Sequence, residues 1–255
     1  MYNKIKEKIA AFIKENKGAG AKEVIRHFNR NASGIFRHLK KLQDGKLIYK
    51  VGKPPKVRYY AYTNTMKNNP KIVLTATNWA VSGGERWITP QQLCQTRDVF
   101  DARYYRLLTD LKKILKDENI ISLVMAAVGE IGNNSFDHNL GHWRDIPGVF
   151  FFLDEAARTI VLADRGQGIC ATLRRVRPEI RDDAEALQVA FTETVSGRAP
   201  ERRGNGLKMV KKVVEENNLY LEFYTGEAMA TITGKGMTIK KSDFVIPGTF
   251  AFITF

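Results

Sequence analysis

The sequence predicts an α+β protein built from two modules, and three observations support that prediction. Apolar residues recur at both helical and period-two spacing along 255 residues, a length that suits one large domain or two modest ones. Lysine and arginine outnumber aspartate and glutamate by 41 to 27, which gives a net charge of +14. Residues 1–65 hold 16 basic and 4 acidic side chains, whereas residues 66–255 hold 25 and 23. The excess charge in the first quarter indicates a module that faces a polyanion or an acidic surface.

Composition excludes several classes of protein. The longest apolar runs, such as residues 123–128, are far shorter than the ~20 residues that a membrane span needs. The first fifteen residues alternate charged and apolar side chains and lack the apolar core of a secretory signal. Cys94 and Cys170 have no metal-ligand spacing, so neither a disulfide framework nor a zinc site is predicted. We therefore expect a cytoplasmic protein without a membrane partner.

The first module, residues 1–65, is predicted to contain three helices and a β-hairpin. Apolar residues recur at helical spacing over residues 4–16 and 32–43, with a shorter helix between them. Two segments that alternate at period two, LIYKV and VRYYAY, flank the turn GKPPK, which is typical of a hairpin. This order of elements resembles the winged helix-turn-helix domains of bacterial regulators.

The winged-helix resemblance implies contacts with duplex DNA through the third helix and the hairpin, or wing. A recognition helix lies in the major groove, where its polar and basic residues meet bases and phosphates. Two alternatives are a solvated charged surface and a protein-docking module. The residues predicted to contact DNA are Ser33, Arg37, His38, Lys40 and Lys41 on the helix, and Lys53, Lys56 and Arg58 on the wing.

The second module is predicted over residues 85–255, after a linker and a first strand over residues 66–84. Strands are expected at 71–76 and near 87–88, two long helices at 98–116 and 119–139, strands at 148–153 and 159–163, a helix from about residue 206, and four final strands at 220–224, 229–233, 237–240 and 249–255.

Glu130 and Asn134 lie four residues apart on a predicted helix and therefore share one face. A carboxylate and an amide in that arrangement can polarise water and offer an oxygen ligand to Mg²⁺. On most helices such a pair only faces solvent. His138, one turn further on, is by itself most simply a packed or capping histidine.

Two glycine motifs follow. Asp164 ends a predicted strand ahead of Gly166 and Gly168, where a carboxylate can accept a hydrogen bond from an exocyclic amine and the backbone can approach a flat ligand. Gly204 and Gly206 precede an amphipathic helix, and a helix start of this kind can present N–H groups to phosphate. Each motif alone also fits an ordinary turn or a loop-to-helix junction.

Taken together and in this order, E-x-x-x-N, D-x-G-x-G and G-x-G-L resemble the N, G1 and G2 boxes of the GHKL ATPase superfamily. The helix motif E-x-x-x-N-x-x-x-H is similar to that of the ATP-binding domains of anti-sigma factor kinases, and the C-terminal GTFAFITF resembles the final strand of that fold. The resemblance covers roughly residues 85–255. It implies a two-layer α/β sandwich of the Bergerat type with a mixed, mostly antiparallel sheet.

The GHKL resemblance also implies ATP and Mg²⁺ as cofactors. Asp164 would accept the hydrogen bond of the adenine amine, Asn134 would ligate Mg²⁺, and Glu130 would orient or deprotonate the attacking water or hydroxyl. Residues 172–203 would correspond to an ATP lid whose arginines reach the γ-phosphate. Further residues implied in nucleotide binding are Gly166, Gly168 and Thr249 around the base, and Arg202, Arg203, Gly204, Gly206 and Leu207 around the phosphates.

The function expected from both resemblances is an ATP-responsive bacterial DNA-binding regulator of transcription. The alternative is an anti-sigma-type Ser/Thr protein kinase that switches between protein partners, with an antagonist or a sigma-like protein as partner. A third reading is a nucleotide-binding adaptor without turnover. The expected activity is therefore that of a slow ATPase or a Ser/Thr kinase, and the two-fold symmetry of many operators favours a homodimer.

Overall fold

The chain, seen in a computed structural model, is a mixed α+β protein. The structure describes residues 2–16, 18–45, 47–51, 55, 57–61, 71–83, 88–194 and 206–255. These residues belong to two compact units, Met1–Asn69 and Pro70–Phe255, which are described separately below. Among the described residues, no helix is long and apolar enough to cross a membrane.

The first unit consists of three helices and a small antiparallel sheet, in agreement with the predicted elements. The sheet has the strand order β1-β3-β2. The elements are α1 (Tyr2–Glu15), β1 (Ala19–Gly20), α2 (Ala21–Phe28), α3 (Ala32–Asp44), β2 (Ile48–Val51) and β3 (Arg58–Ala61).

Helix α3 is positioned by its N-terminal cap and by its apolar stripe. The Asn31 side chain accepts a hydrogen bond from the Gly34 amide at 2.8 Å, which satisfies one of the amide groups left unpaired at a helix start. Ile35, Leu39 and Leu42 are fully buried in the core of this unit. The opposite side of α3 is therefore the one that faces solvent.

The second unit is a five-stranded sheet with helices on both faces. The strand order is β4-β5-β6-β8-β7, and every pairing between these described strands is antiparallel, so the mixed sheet that was expected is not observed. The elements are α4 (Lys71–Ser82), β4 (Leu93–Cys94), α5 (Arg97–Ile114), α6 (Glu118–Asn139), β5 (Val149–Asp154), β6 (Thr159–Asp164), α7 (Gly168–Leu173), α8 (Asp183–Thr192), α9 (Gly206–Glu216), β7 (Tyr220–Thr233) and β8 (Gly236–Thr254).

The main core lies between one face of the sheet and helices α5, α6, α8 and α9. Alternate strand residues such as Phe151, Leu162 and Phe223 pack there, because successive side chains of a strand point to opposite faces. Helix α4 contacts β5, β6 and β8. Its residue Trp79 is fully buried, with its ring 6.1 Å from that of Phe150, a residue of the opposite face. A helix therefore covers each face, whereas a two-layer sandwich was expected.

Three predictions about the elements are corrected by the structure. The strand expected at residues 71–76 is helix α4. The strand expected near residues 87–88 is not observed at Ile88, Trp87 lies outside the described residues, and the short strand β4 comes later. The four final strands are two long ones, with a register shift in β7 around Gly226.

Candidate ligand pocket and basic helix surface

A pocket in the second unit brings the three sequence motifs together. It has an empty volume of about 750 Å³ and lies among α6, α7, α8, α9 and strands β6, β7 and β8. Gly166 does not line the pocket, although its amide donates a hydrogen bond to Asp164. The predicted residues that do line the pocket are Glu130, Asn134, Asp164, Gly168, Gly206, Leu207 and Thr249, together with His138.

Asp164, the last residue of β6, is a buried carboxylate held by four donors and 1% exposed. Its Oδ1 accepts hydrogen bonds from the Gly166 amide at 2.8 Å and from the Asn139 side chain at 3.1 Å. Its Oδ2 accepts from the hydroxyls of Ser135, at 2.9 Å, and Thr249. Since a carboxylate offers about four acceptor positions, these donors fix the plane of the group.

The same donors act on the protonation of Asp164. Burial raises the pKa of this carboxyl above its ordinary value, because a charge is costly where water is excluded. Hydrogen bonds from Thr249, Gly166 and Ser135 lower the pKa and so oppose that shift. The network therefore both orients the carboxyl and favours its ionised form.

Ser135 and Asn139 are site residues that the sequence motifs did not reveal. Asn139 is 3% exposed, donates to the Ser135 carbonyl at 2.8 Å, and accepts from the Gln167 amide at 3.1 Å. Ser135 and Asn139 follow Ile131 at intervals of four residues, on the buried side of α6. Polar side chains on an apolar helical stripe were the signal that could have revealed them.

The two glycines of the D-x-G-x-G motif are required by close contacts. A Cβ on Gly166 would lie 2.0 Å from the Asn139 amide atoms. Gly168 has φ +79°, a region that residues with a Cβ rarely adopt, and a Cβ there would lie 2.9 Å from the Thr225 hydroxyl. Gly166 therefore allows the Asp164 turn to pack against α6, and Gly168 allows it to pack against β7.

Glu130 and Asn134 share one face of α6, as their spacing predicted. The Asn134 Nδ2 donates to Glu130 Oε1 at 3.1 Å. Gly206, the first residue of α9, lies against this pair, since a Cβ on it would be 1.5 Å from Glu130 Oε1. The N-terminus of α9, with its unpaired amide groups, is therefore next to Glu130.

The Glu130–Asn134 pair fits a magnesium ion that also binds the oxygens of a ligand. Because Asn134 Nδ2 is committed to Glu130, its Oδ1 is the amide atom left to ligate a cation. Mg²⁺ prefers oxygen ligands and in proteins is commonly held by one or two side chains together with substrate phosphates. Within the described residues, no three His, Cys, Asp or Glu side chains cluster as a metal site of their own.

His138 lies on the pocket wall beside the base of the glycine turn. Burial lowers its pKa, the Asp164 charge raises it, and the Arg175 charge lowers it. Gln167 donates from its side chain to the His138 carbonyl at 2.5 Å and accepts from Arg175 at 2.5 Å. The lowered pKa favours the neutral imidazole, and Gln167 links the His138 backbone to the Arg175 guanidinium.

The charged groups of the described pocket lining are acidic. Glu130 and Asp164 line it, and no described lysine or arginine does. Arg202, Arg203 and Gly204, which the GHKL resemblance places around the phosphates, lie outside the described residues. A phosphate tail in the described part of the pocket would therefore need a cation.

The structure describes residues 172–194 of the ATP lid expected over residues 172–203. Helix α8 occupies the middle of this stretch and buries Leu187 and Phe191 in the main core. The Glu227 amide donates to the Asp183 carboxylate at 2.8 Å, which ties the start of α8 to β7. The described part of the stretch therefore packs against the core of the second unit through α8.

In the first unit, α3 presents most of its predicted DNA contacts to solvent. Ser33, Arg37, Lys40 and Lys41 are exposed. His38 is 6% exposed, so its predicted surface contact is corrected: position 38 belongs to the apolar stripe with Ile35 and Leu42. The sequence analysis missed Phe36, which is 49% exposed on the same helix.

On the predicted wing, Arg58 is engaged inside its own unit. Its guanidinium pairs with the Glu23 carboxylate at 3.1 Å and donates to the Gly18 carbonyl at 2.9 Å. Lys53 and Lys56 lie outside the described residues. Of the three wing residues, the one that the structure describes thus links β3 to the start of α2.

Comparison with protein-family models, with curated proteins and with solved structures finds no match to this chain. Function is therefore inferred from the pocket and from the exposed side of α3.

Proposed function

We propose that this protein is an ATP-responsive DNA-binding regulator of transcription. Its first unit would be a winged helix-turn-helix module, and its second unit a GHKL-type domain that binds Mg-ATP and controls DNA binding. The observation that carries the proposal is the arrangement of one pocket, in which the buried Asp164 carboxylate, at the end of β6, is hydrogen-bonded to helix α6, and α6 also carries a carboxylate–amide pair. Nothing in the comparisons bears on it.

The Asp164 end of the pocket supports binding of an adenine base. The pocket combines polar and apolar lining residues, as small-molecule and cofactor sites do, and its empty volume of about 750 Å³ includes the part that is open to solvent. A carboxylate is purely an acceptor when ionised, so it selects a ligand edge that donates, such as an exocyclic amine. The amine would replace the Ser135 hydroxyl, which can turn to the Ile131 carbonyl. Ile131, Leu173 and Leu207 supply apolar walls on which a flat base can pack.

The Glu130 end supports binding of the phosphates. Mg²⁺, when bound, would neutralise the phosphate charge and leave the phosphorus open to attack. Asn134 would hold it through Oδ1, and the first amides of α9 at Gly206 would donate to phosphate oxygens. Glu130 would accept the proton of the attacking water.

The exposed side of α3 supports binding of duplex DNA. Arg37 and Lys40 are exposed there, in a region whose net charge is +12 over residues 1–65. Cations at this density neutralise phosphates and release counterions, which makes affinity depend on salt. Phe36, next to them, is an apolar group that can contact a thymine methyl.

DNA binding with and without Mg-ATP tests this proposal. Random duplex DNA and a pool of genomic fragments would be titrated with the full chain and with the Arg37→Glu/Lys40→Glu variant. The control is Lys8→Glu/Lys14→Glu, a matched double charge reversal at exposed positions of α1. We expect the α3 double variant to bind at least about tenfold more weakly, with a shallower salt dependence, because each phosphate contact contributes about one unit of slope. Wild-type affinity in the α3 double variant, or affinities that Mg-ATP does not change, would refute the proposal.

A Ser/Thr protein kinase is the second candidate, and the Glu130–Asn134 contact with the start of α9 favours it. A carboxylate beside the phosphate end can accept a proton from a hydroxyl as readily as from water. Incubation with γ-labelled ATP and proteins purified from the source cell would distinguish them. Label on a partner protein that disappears in Glu130→Gln identifies a kinase, and release of inorganic phosphate alone identifies an ATPase.

A further inference from the structure

Arg165 lies between two residues of the pocket, Asp164 and Gly166, yet its side chain belongs to a different network. The side chain is 6% exposed, and its Nε and Nη2 donate to the two carboxylate oxygens of Asp145 at 2.8 and 2.5 Å. Its Nη1 donates to the Trp79 carbonyl at 3.3 Å and to the Ala80 carbonyl. All three guanidinium nitrogens are thus used.

The carbonyls that Arg165 contacts belong to the last turn of α4. The final carbonyls of a helix have no partner within the helix, and a cation there is favoured by the helix dipole. Gly83, just after α4, has φ +67°, and a Cβ on it would lie 2.8 Å from Arg165 Nε. The end of α4 is therefore built around this guanidinium.

The backbone of Arg165 is held as firmly as its side chain. Its carbonyl accepts from the Arg144 amide at 3.2 Å. The residue before it is the carboxylate with four donors, and the residue after it donates one of those hydrogen bonds. A shift of the Asp164 turn by a few tenths of an ångström would move the guanidinium against a packed helix end.

We propose that Arg165 is a positioning residue that couples ligand binding at Asp164 to the C-terminal turn of helix α4. The inference rests on the proposed function, since it takes the ligand to be Mg-ATP. Helix α4 is the first element of the second unit, so the chain from the DNA-binding unit enters through it. The coupling is reciprocal: whatever fixes the end of α4 also strengthens ligand binding.

Hydrogen exchange of the full chain, with and without saturating Mg-AMPPNP, tests the coupling. In the wild type we expect the ligand to slow exchange of amides in the last turn of α4, including Gly83, whose amide donates to the Trp79 carbonyl at 2.8 Å. In Arg165→Gln the ligand should still bind, about tenfold more weakly, and the α4 response should disappear. Arg165→Lys keeps the positive charge but cannot donate two parallel hydrogen bonds to Asp145. It should therefore restore ligand affinity more fully than the change in exchange at α4.

Two further variants separate coupling from a general loss of stability. Asp145→Asn leaves the carbonyl contacts in place but removes the bidentate partner, and should reduce the response without abolishing it. Arg144→Gln removes a neighbouring exposed guanidinium and should leave both affinity and response as in the wild type. The inference about Arg165 is overturned if the ligand still slows exchange at the end of α4 in Arg165→Gln. It is also overturned if the wild type binds the ligand and shows no such slowing. Neither outcome affects the proposed function. A wild type that binds no adenine nucleotide refutes the proposed function as well.

Discussion

Both ends of the pocket involve helix α6, but their side chains are held by different numbers of hydrogen bonds. Around Asp164, buried groups satisfy each other through four hydrogen bonds to one carboxylate. Around Glu130 and Asn134, both half-buried, one hydrogen bond joins the pair and the described lining offers no cation. If the ligand is Mg-ATP, as proposed, the Asp164 end, which would bind the base, is prepared before the ligand arrives. The Glu130 end, which would bind the phosphates, would be completed by the cation that the ligand brings.

Substitution of Asp164 should have the largest effect, because this carboxylate is the centre of the hydrogen-bond network at its end of the pocket. In Asp164→Asn an amide NH₂ would face donors that now point at an oxygen, so we expect nucleotide affinity to fall by about 100-fold or more, since a polar site left unpaired discriminates strongly. Isothermal titration with ATP measures the loss. Asp154→Asn, the same change at the end of neighbouring β5, is the control, and equal affinities in the two variants would contradict the assignment.

We expect Glu130→Gln to lower turnover while ATP affinity stays nearly unchanged, which would separate the roles of the two ends of the pocket. Loss of a general base lowers turnover by about 10²–10⁴-fold, whereas the base end is untouched, so affinity should stay within about threefold. Phosphate release and titration with ATP together measure both quantities. Glu118→Gln, at the exposed start of the same helix, is the matched variant; a turnover equal to that of Glu118→Gln would remove Glu130 from the chemistry.

Removal of Mg²⁺ should affect only ligands that carry phosphates. We expect EDTA to weaken ATP binding by about tenfold or more, because two carboxylates and no described lysine or arginine line the pocket, while adenosine binding is unchanged. Competition between ATP and adenosine at constant ionic strength measures this. Equal weakening of ATP and adenosine binding would place the metal at the Asp164 end and would contradict the assignment of the two ends.

We expect a weaker effect from His138, which also lines the pocket: it should make the free energy of unfolding depend on pH. Burial lowers the pKa of His138 below the ordinary 6.5, so the unfolded chain takes up this proton first as pH falls. The free energy of unfolding should therefore decline below pH 6.5, and not above it, by at most about 1.4 kcal/mol per pH unit from this group.

Urea unfolding at pH 7.5, 6.5 and 5.5 checks the sign. His138→Gln should show a shallower decline than the wild type, while His142→Gln, at an exposed position, should match the wild type. Because burial raises the pKa values of Asp164 and Glu222, these two groups act in the opposite direction, and only the difference between variant and wild type isolates His138. A slope that His138→Gln leaves unchanged would contradict the prediction.

Elements were predicted correctly where their apolar residues followed a single spacing, either helical or alternating. They were predicted wrongly where both patterns could be read in the same segment. Helix α6 and strands β5 and β6 were predicted close to their observed bounds. In α4, the β-branched residues of KIVLTAT favour a strand, but Ile72, Val73 and Ala76, with Trp79, are buried at helical spacing. A longer window would have shown this period, which the packing of the helix against the sheet enforces.

For the site, the motifs located the residues that line the pocket but not those that hold them. Glu130, Asn134 and Asp164 were found because their spacing is local. Asp145 and Arg165 are partners only through tertiary contact, and no spacing indicates such a pair. His38 was assigned to the surface although its position on the stripe of Ile35 already indicated burial.

The Ser135 hydroxyl has one proton and two acceptors within reach. Its Oγ is 2.9 Å from Asp164 Oδ2 and 3.3 Å from the Ile131 carbonyl. An incoming amine can take the first place while the hydroxyl rotates to the second, so one donor replaces another and no buried group loses its bond. In the proposed nucleotide site, a ligand edge that carries only lone pairs would offer no such exchange and would be repelled by the carboxylate. The Ser135 hydroxyl would therefore favour bases that present an amine over bases that present a carbonyl.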